Sequence, residues 1–380
     1  MTRVEVRPAM LRWARDRAGL DPDDLVGRFP KLHDWEDETS RPTLKQLEAY
    51  AHATHAPIGF FFLPEPPIER VPIPDFRIIG SGQTRRPSPD LLDTIYICQQ
   101  RQEWYRDFMR STREERLAFV GSMTLDTDVV TAATAIRAAL NFDIEERRQC
   151  PTWTDALRRF IEQADAVGVL IMVNGVVGNN NYRKLDPDEF RGFALTDPSA
   201  PLVFINGADT KAAQMFTLAH ELAHLWLGQS ALSNVDAAAA PQDRVEDWCN
   251  RVAAELLVPI AVIRQEYRPG EDLRGAMDRF ARRFKVSTLV VLRRIHDIGG
   301  LTRDAFWRAY RAELDRLRAL PTGSGGNFYL TQSARIGKRF ARAVVTNTLE
   351  GQTLHRDAFH LLGFSKLSTL RELAHSLGVV

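Results

Sequence analysis

Cysteine is scarce in this chain: Cys98, Cys150 and Cys249 are the only three among 380 residues. Far apart and odd in number, they exclude a disulfide framework and fit a reducing compartment. Charge of one sign is scarce too. Against 50 Lys and Arg stand 49 Asp and Glu, a net +1 with neutral histidines. That excludes strong bulk attraction to nucleic acid, while local basic patches stay open. Long hydrophobic runs are missing. Apolar stretches such as Val167 to Val173 fall well short of the roughly 20 residues a bilayer requires. The opening MTRVEVRPAM has no apolar core for a signal peptide. These absences predict a soluble, cytoplasmic protein with no membrane partner. No long internal repeat or low-complexity tract stands out. The chain is long enough for two or three domains, each burying its own core.

The most informative residues are His220-Glu221-Leu222-Ala223-His224, inside Phe216 to Gly228. On a helix, positions i and i+4 sit one above the other. Two imidazoles so spaced can grip one metal ion, and HExxH is the signature of zinc peptidases. Neutral imidazole suits Zn²⁺, which in catalytic sites takes three protein ligands and lowers the pKa of a bound water to about 7. Glu221 points about 100° around the helix from His220. That is the place for a general base that takes the water's proton and passes it to the leaving amine. The pentapeptide alone also fits an amphipathic helix with two satisfied histidines and a solvated glutamate, so a third ligand has to be found.

Downstream, Asp243 to Leu257 (DRVEDWCNRVAAELL) reads as a helix ended by Pro259. It offers Asp243, Glu246, Asp247 and Glu255. Glu246, Cys249, Asn250, Ala253 and Leu257 follow i, i+3, i+4, i+7, i+11 spacing, a face of small and apolar residues suited to packing on the HExxH helix. Glu255 lies about 180° around from Glu246 and is expected to face solvent. Glu246 is the favoured third ligand and Asp243 the alternative. With Glu246 the ligands form the His₂Glu set of catalytic zinc sites.

HELAHLWL followed by EDWCNRVAAELLVP resembles the ImmA/IrrE family of metallopeptidases, whose pattern reads roughly HELGHxxL and then ExxAN(x)FAAxLLMP. His220, Glu221, His224, Glu246, Asn250, Ala253, Ala254, Leu256, Leu257 and Pro259 fall on family positions. Cys249 stands for the usual Ala and Val252 for Phe. The lead-in PLVFING and MFTLAHE also resemble the family, and coverage runs from about Val167 to Ile295. The resemblance implies a zinc endopeptidase that cleaves a regulatory protein such as a transcriptional repressor. In that reading His220, His224 and Glu246 hold Zn²⁺, Glu221 is catalytic, and no other cofactor is needed. It also implies an α+β, mostly helical chain with a zincin-like core, in which a small antiparallel sheet lies beside the HExxH helix. The strands expected there are VGVLIMV (Val167–Val173), FRGFALTD (Phe190–Asp197) and PLVFI (Pro201–Ile205), with a Gly/Asn-rich loop at Gly178–Asn181. Any of these strands is either a peptide-binding edge or plain core.

Residues 1–64 read as a unit of their own. MLRWARDRAGL is a helix closed by Gly19, Asp21-Pro22 is an N-cap followed by Pro at N1, and Thr43 with Gln46 forms a capping box. The series resembles the lambda-repressor-like helix-turn-helix domain of XRE type. It departs where that fold reads DNA: the stretch between Leu25 and Trp35 is short by about four residues. Phe29, Pro30, Lys31 and Leu32 make a poor reader of bases. Lys31 and His33 are the candidate DNA contacts, and weak, salt-dependent duplex binding is expected. A helical domain used for protein contact is the competing reading. Residues 65–88 form a proline-rich linker that overlaps the strap Phe60–Arg77 (FFFLPEPPIERVPIPDFR), which has little room for helix or paired strand.

The peptidase domain is expected over 89–300, with helices at Pro89–Arg110, Asp126–Leu140 and Thr154–Ala166, and a helical region over 301–380. Phe280–Ile295 and Asp357–Leu373 look like further helix-turn-helix pieces, the latter with Ser368 as N-cap, and serve either DNA or a helical scaffold. PTGSGGN at Pro321–Asn327 reads as a flexible linker. The remaining histidines have no ligand partner in the sequence. The expected partner is a regulatory protein, a repressor or a toxin-antitoxin component, encoded in the adjacent gene. The rival class is a non-proteolytic regulator or antitoxin-like module that keeps the peptidase fold for binding.

Overall fold

The structure, a computed structural model, describes residues 2–76, 86–233, 243–319 and 334–379. The linker expected at 321–327 lies outside the described residues. Contacts divide the chain into two compact units, Met1–Pro72 with Arg85–Ile95, and Ile73–Thr84 with Tyr96–Val380.

In the first unit the punctuation of the sequence is used as expected. Helix α1 (Pro8–Arg17) ends before Gly19, whose φ of 65° a side chain would oppose. Helix α2 (Pro22–Val26) opens on Asp21, whose N–H donates to the Asp24 carboxylate at 2.9 Å. Helix α3 (Leu32–Glu36) is a single turn. Helix α4 (Leu44–Ala53) carries the Thr43–Gln46 box, Gln46 N donating to Thr43 Oγ1 at 3.3 Å and Thr43 N to Gln46 Oε1 at 2.9 Å. Tyr50 stands at the centre of the core. Its hydroxyl donates to Leu11 O at 2.9 Å, with Phe29, Trp35 and Phe61 edge-on around its ring. Phe29 and Leu32, from the shortened stretch, are buried core residues, whereas Lys31 and His33 are exposed.

The second unit is built on a sheet ordered β1 (Leu170–Asn174), β5 (Leu202–Asn206), β4 (Gly192–Leu195), β6 (Ala231–Ser233). The expected antiparallel sheet is in fact mixed, because β1 runs parallel to β5 while β4 is antiparallel to β5 and β6. Hydrophobic patterning marks strands but not their direction. Here a hairpin, β2 (Val176–Val177) with β3 (Asn180–Lys184), and then β4 intervene before the chain returns beside β1. The Gly/Asn-rich segment expected as a loop therefore supplies part of that hairpin. The strand Asn180–Lys184, exposed except for a half-buried Arg183, lacks the apolar alternation by which strands are read from sequence.

Side chains alternate across the sheet. Gly192, Ala194, Val203 and Ile205 face helix α9 (Lys211–Leu227), on which α10 (Arg244–Leu257) packs, with α6 (Val129–Leu140) against α10 and α8 (Trp153–Ala166) against α9. On the opposite face Met172 meets Cys98 of α5 (Pro89–Ser111), and Phe190, Phe193 and Phe204 stack on one another. Short helix α7 (Ile144–Arg148) lies against α12 (Leu273–Phe284). Beyond α11 (Ile260–Glu266), the turn between α12 and α13 (Thr288–Asp297) is made by Lys285 at φ 52° and the Ser287 cap. Its basic residues are largely engaged within the protein: Arg283 pairs with Glu266 and Glu145, Arg293 with Asp297, and Arg294 with Glu255. That arrangement favours the scaffold reading of this segment.

The chain continues as α14 (Arg303–Arg318) and, further on, α15 (Lys338–Leu349), α16 (His355–Leu362) and α17 (Leu367–Ser376). Ser368 is not the N-cap of α17. The helix begins two residues earlier than such a cap would set it, at Leu367 with Lys366 at the cap position, so Ser368 sits inside the first turn.

Candidate metal centre

Helix α9 is capped at Thr210, whose hydroxyl accepts from Ala213 N at 3.2 Å, and closed by Gly228 at φ 72°. It is buried on every side from Gln214 to Leu227, the pattern of a helix through the middle of a core. Three titratable groups, His220, Glu221 and His224, are fully buried on it. Such groups are retained in a dry interior only with partners or a bound cation.

The partner comes from α10. Its N-cap is Asp243, which accepts from Val245 N at 2.7 Å and Glu246 N at 3.3 Å. Capping occupies the carboxylate considered above as an alternative ligand, and it lies outside the metal-competent group. Glu246, in the first turn, reaches back to both histidines: Oε2 is 3.2 Å from His220 Nε2, Oε1 is 3.0 Å from His224 Nε2, and the two Nε2 atoms are 3.0 Å apart. Zn–N bonds of about 2.0–2.1 Å imply an edge of roughly 3.3 Å between ligand atoms of a tetrahedral site. The three donors therefore lie close enough to share one ion, and their chemistry, two imidazoles and a carboxylate, suits zinc. His220, His224 and Glu246 form a metal-competent group among the described residues.

Electrostatics agree with this assignment. Burial lowers the His224 pKa, so the ring stays neutral and able to ligate. Burial alone raises the pKa of Glu246, but the two histidines outweigh it and hold the carboxylate well below its ordinary value. Cys249, one turn further along α10, is driven up by burial and then by Glu246, Glu221 and Asp243, so it is a neutral thiol filling space.

Glu221 is the odd member. It is fully buried, and neither carboxylate oxygen has a hydrogen-bond partner among the described residues. Burial first, and the nearby Glu246 charge second, push its pKa well above the ordinary value. Ser233 approaches and opposes that shift without its hydroxyl reaching hydrogen-bond geometry. A dication beside Glu221 favours the ionised carboxylate and counters both effects.

Glu255 corrects the expectation of a solvated residue. It does point away from the histidines, but at 3 % exposure it is buried, paired with Arg294 of α13 and accepting from Ile260 N at 3.1 Å. Periodicity gave its direction correctly; that α11 and α13 cover this face is a tertiary fact.

Residues that pattern reasoning missed surround the site. At Gly192 on β4 a Cβ would come within 2.5 Å of Thr217 Cγ2 and 3.2 Å of Glu221 Oε1, so only glycine lets the strand lie this close to α9. An isolated glycine inside FRGFALTD is the signal that could have marked it. Ser233 sits opposite Gly192 on β6, a strand too short to show alternation. From the proline-rich strap, Phe76 lies on the His224 ring, with centroids 6.3 Å apart and planes at 18°.

Residues 164–296 match the IrrE N-terminal-like domain, a peptidase family. The matched stretch begins at the end of α8 and closes at the end of α13, enclosing the sheet, both helices of the metal-competent group and Glu221. Within the second unit, residues 164–296 are thus similar to a peptidase domain, the IrrE N-terminal-like one, and this stretch contains the group His220, His224 and Glu246 that could bind a metal. A second family model, a domain of unknown function, covers residues 336–376, the stretch of α15 to α17. Comparison with curated proteins and with solved structures gave no match. No helix among the described residues is long and apolar enough to cross a membrane.

Proposed function

We propose that the protein is a zinc-dependent endopeptidase that cuts one regulatory protein, a transcriptional repressor or an antitoxin. The observation that carries this reading is the convergence of His220, His224 and Glu246 in the core, beside a buried carboxylate, Glu221, whose oxygens have no hydrogen-bond partner among the described residues. A carboxylate kept dry and unpaired is costly to the fold, which points to chemistry as the reason for it.

His220, His224 and Glu246 are the residues to hold the metal. Zinc in such a site supplies Lewis acidity, polarising a carbonyl and making water nucleophilic near neutral pH. Glu221 is the general base, accepting at a carboxylate oxygen the proton of the attacking water and delivering it to the departing amine nitrogen. Gly192 lets Glu221 sit against the sheet, and the dry walls around it strengthen every charge interaction inside. We read the N-terminal unit as a lambda-repressor-like fold used to recruit the protein partner rather than to read bases, because Phe29 and Leu32 are buried in its core. A cytoplasmic site of action agrees with the free thiols of Cys98, Cys150 and Cys249.

The test is made in cells. Wild type and Glu221→Gln are expressed beside the product of the adjacent gene, and the intact level of that product is followed. Loss with wild type only is the expected result. Equal levels, with equal regulation of the locus, would leave a zinc-stabilised binding module.

A further inference from the structure

Strand β6 is an edge of the sheet, with β4 on one side. Its other side is taken by the protein's own strap. Leu232 N donates to Pro74 O at 2.9 Å, Phe76 N donates to Leu232 O at 3.0 Å, and Asp75 faces Leu232 in a parallel bridge. Ile73, just before, is buried and anchors the segment. Alternation across the bridge sends Asp75 to the side of Leu232 and sends Pro74 and Phe76 to the other side, the one Ser233 and Gly192 share with α9. Phe76 thereby comes to rest, half-buried, on the ring of His224.

The contacts with β6 include two main-chain hydrogen bonds and the ring contact with His224 lies beside them, and main-chain bonds to a sheet edge are open to any extended peptide. The neighbouring β4–β6 ladder is continuous over three residue pairs and fully buried. The strap imitates an incoming peptide: extended, seated by backbone, and placing one large side chain beside a metal-competent histidine.

Resting on the peptidase reading, we propose that Pro74–Phe76 is a resident occupant of the peptide-binding edge. A substrate segment takes its place on β6, extended and parallel to that strand, with an aromatic or large apolar side chain where Phe76 now lies. The strap competes in cis with substrate, so the protein rests in a covered state until a better-fitting peptide displaces it. A strap that only seals an edge against aggregation would show no such exchange.

The test measures binding, so that it stands apart from cleavage. The probe is a fluorescein-labelled hexapeptide with the strap's own sequence at residues 71–76, Val-Pro-Ile-Pro-Asp-Phe. It is titrated by anisotropy into zinc-loaded, full-length protein carrying Glu221→Gln, so that bound probe is not consumed. Adding Phe76→Pro removes both the N–H given to Leu232 and the ring, and should tighten probe binding at least tenfold. Alanine in place of the probe's Phe should reverse most of that gain. Equal binding with and without Phe76→Pro, or no binding to either, overturns the proposal while leaving the cleavage test of Glu221 untouched.

Should Phe76→Pro fold poorly, amide exchange in the protein with an intact strap decides. The Leu232 N–H, bonded to Pro74, should exchange at least tenfold faster than the Val203 N–H of the central strand, and slow further when the probe is added. Leu232 protection equal to that of Val203 and unmoved by the probe would make the strap a fixed part of the sheet.

Discussion

Helix α10 buries a glutamate on each of two faces and holds them in different ways. Glu255 is answered by a permanent cation, Arg294, which also donates to Val258 O at 2.9 Å. Glu246 is answered by two imidazoles, one of which, His224, burial keeps neutral. Close by on α9, neither Glu221 oxygen has a hydrogen-bond partner among the described residues, and Ser233 only approaches it. A fold that needed only to bury carboxylates would treat all three like Glu255. The difference separates a structural face of the helix from one that could take a cation, since His220, His224 and Glu246 can hold a metal ion and the Glu221 carboxyl lies close enough to feel the Glu246 charge.

The contrast can be broken from either side. The largest expected effect is on activity: Glu221→Gln should lower partner cleavage by about 10²–10⁴-fold, the range general acid–base groups contribute, while zinc content stays at the wild-type level. Loss of zinc in that variant would mean that Glu221 is a ligand. Next is the structural face. Arg294→Ala leaves Glu255 buried and unpaired and should cost about 3–5 kcal/mol in urea unfolding, with zinc stoichiometry in the surviving folded protein unchanged. A cost below about 1 kcal/mol would show that water reaches Glu255 and that the two faces are not so different.

A smaller effect sharpens the same point through pH. In metal-free protein Glu221 has its pKa raised above the ordinary 4.5, so the native state binds more protons than the unfolded chain once pH exceeds that value. Stability then falls as pH rises from about 4.5 through the native pKa, by at most about 1.4 kcal/mol per pH unit. Glu221→Gln removes that slope. It should stabilise the metal-free protein at neutral pH, with the gain vanishing below the unfolded pKa. Zinc should flatten the wild-type curve as well. An unchanged slope in Glu221→Gln would place the titration elsewhere. The smallest effect is the surface control: Glu266→Gln, which breaks a partly exposed pair with Arg283, should cost no more than about 1 kcal/mol.

Much of this site was legible before folding. Spacing alone puts His220 and His224 on one face, and the apolar stripe through Cys249, Asn250 and Ala253 turns Glu246 toward them. The caps at Asp21, Thr43 and Gly19 were equally plain, because capping is chemistry between near neighbours in the chain. What stayed hidden depends on distant contacts. Glu255 was assigned a direction without its cover, since nothing in α10 tells of Arg294 some forty residues away. The parallel pairing of β1 with β5 and the existence of β6 depend on chain reversals that alternation does not encode. Phe76 belongs to a strap whose prolines argue against paired strand, and only its last residues reach the sheet edge.

The central claim is that Glu246, and not Glu255, completes the metal site. Zinc content of the purified protein, measured by inductively coupled plasma mass spectrometry after dialysis, tests it most directly. One zinc per chain is expected in wild type and in Glu255→Gln, and none in Glu246→Ala. Zinc retained by Glu246→Ala and lost from Glu255→Gln would contradict the account.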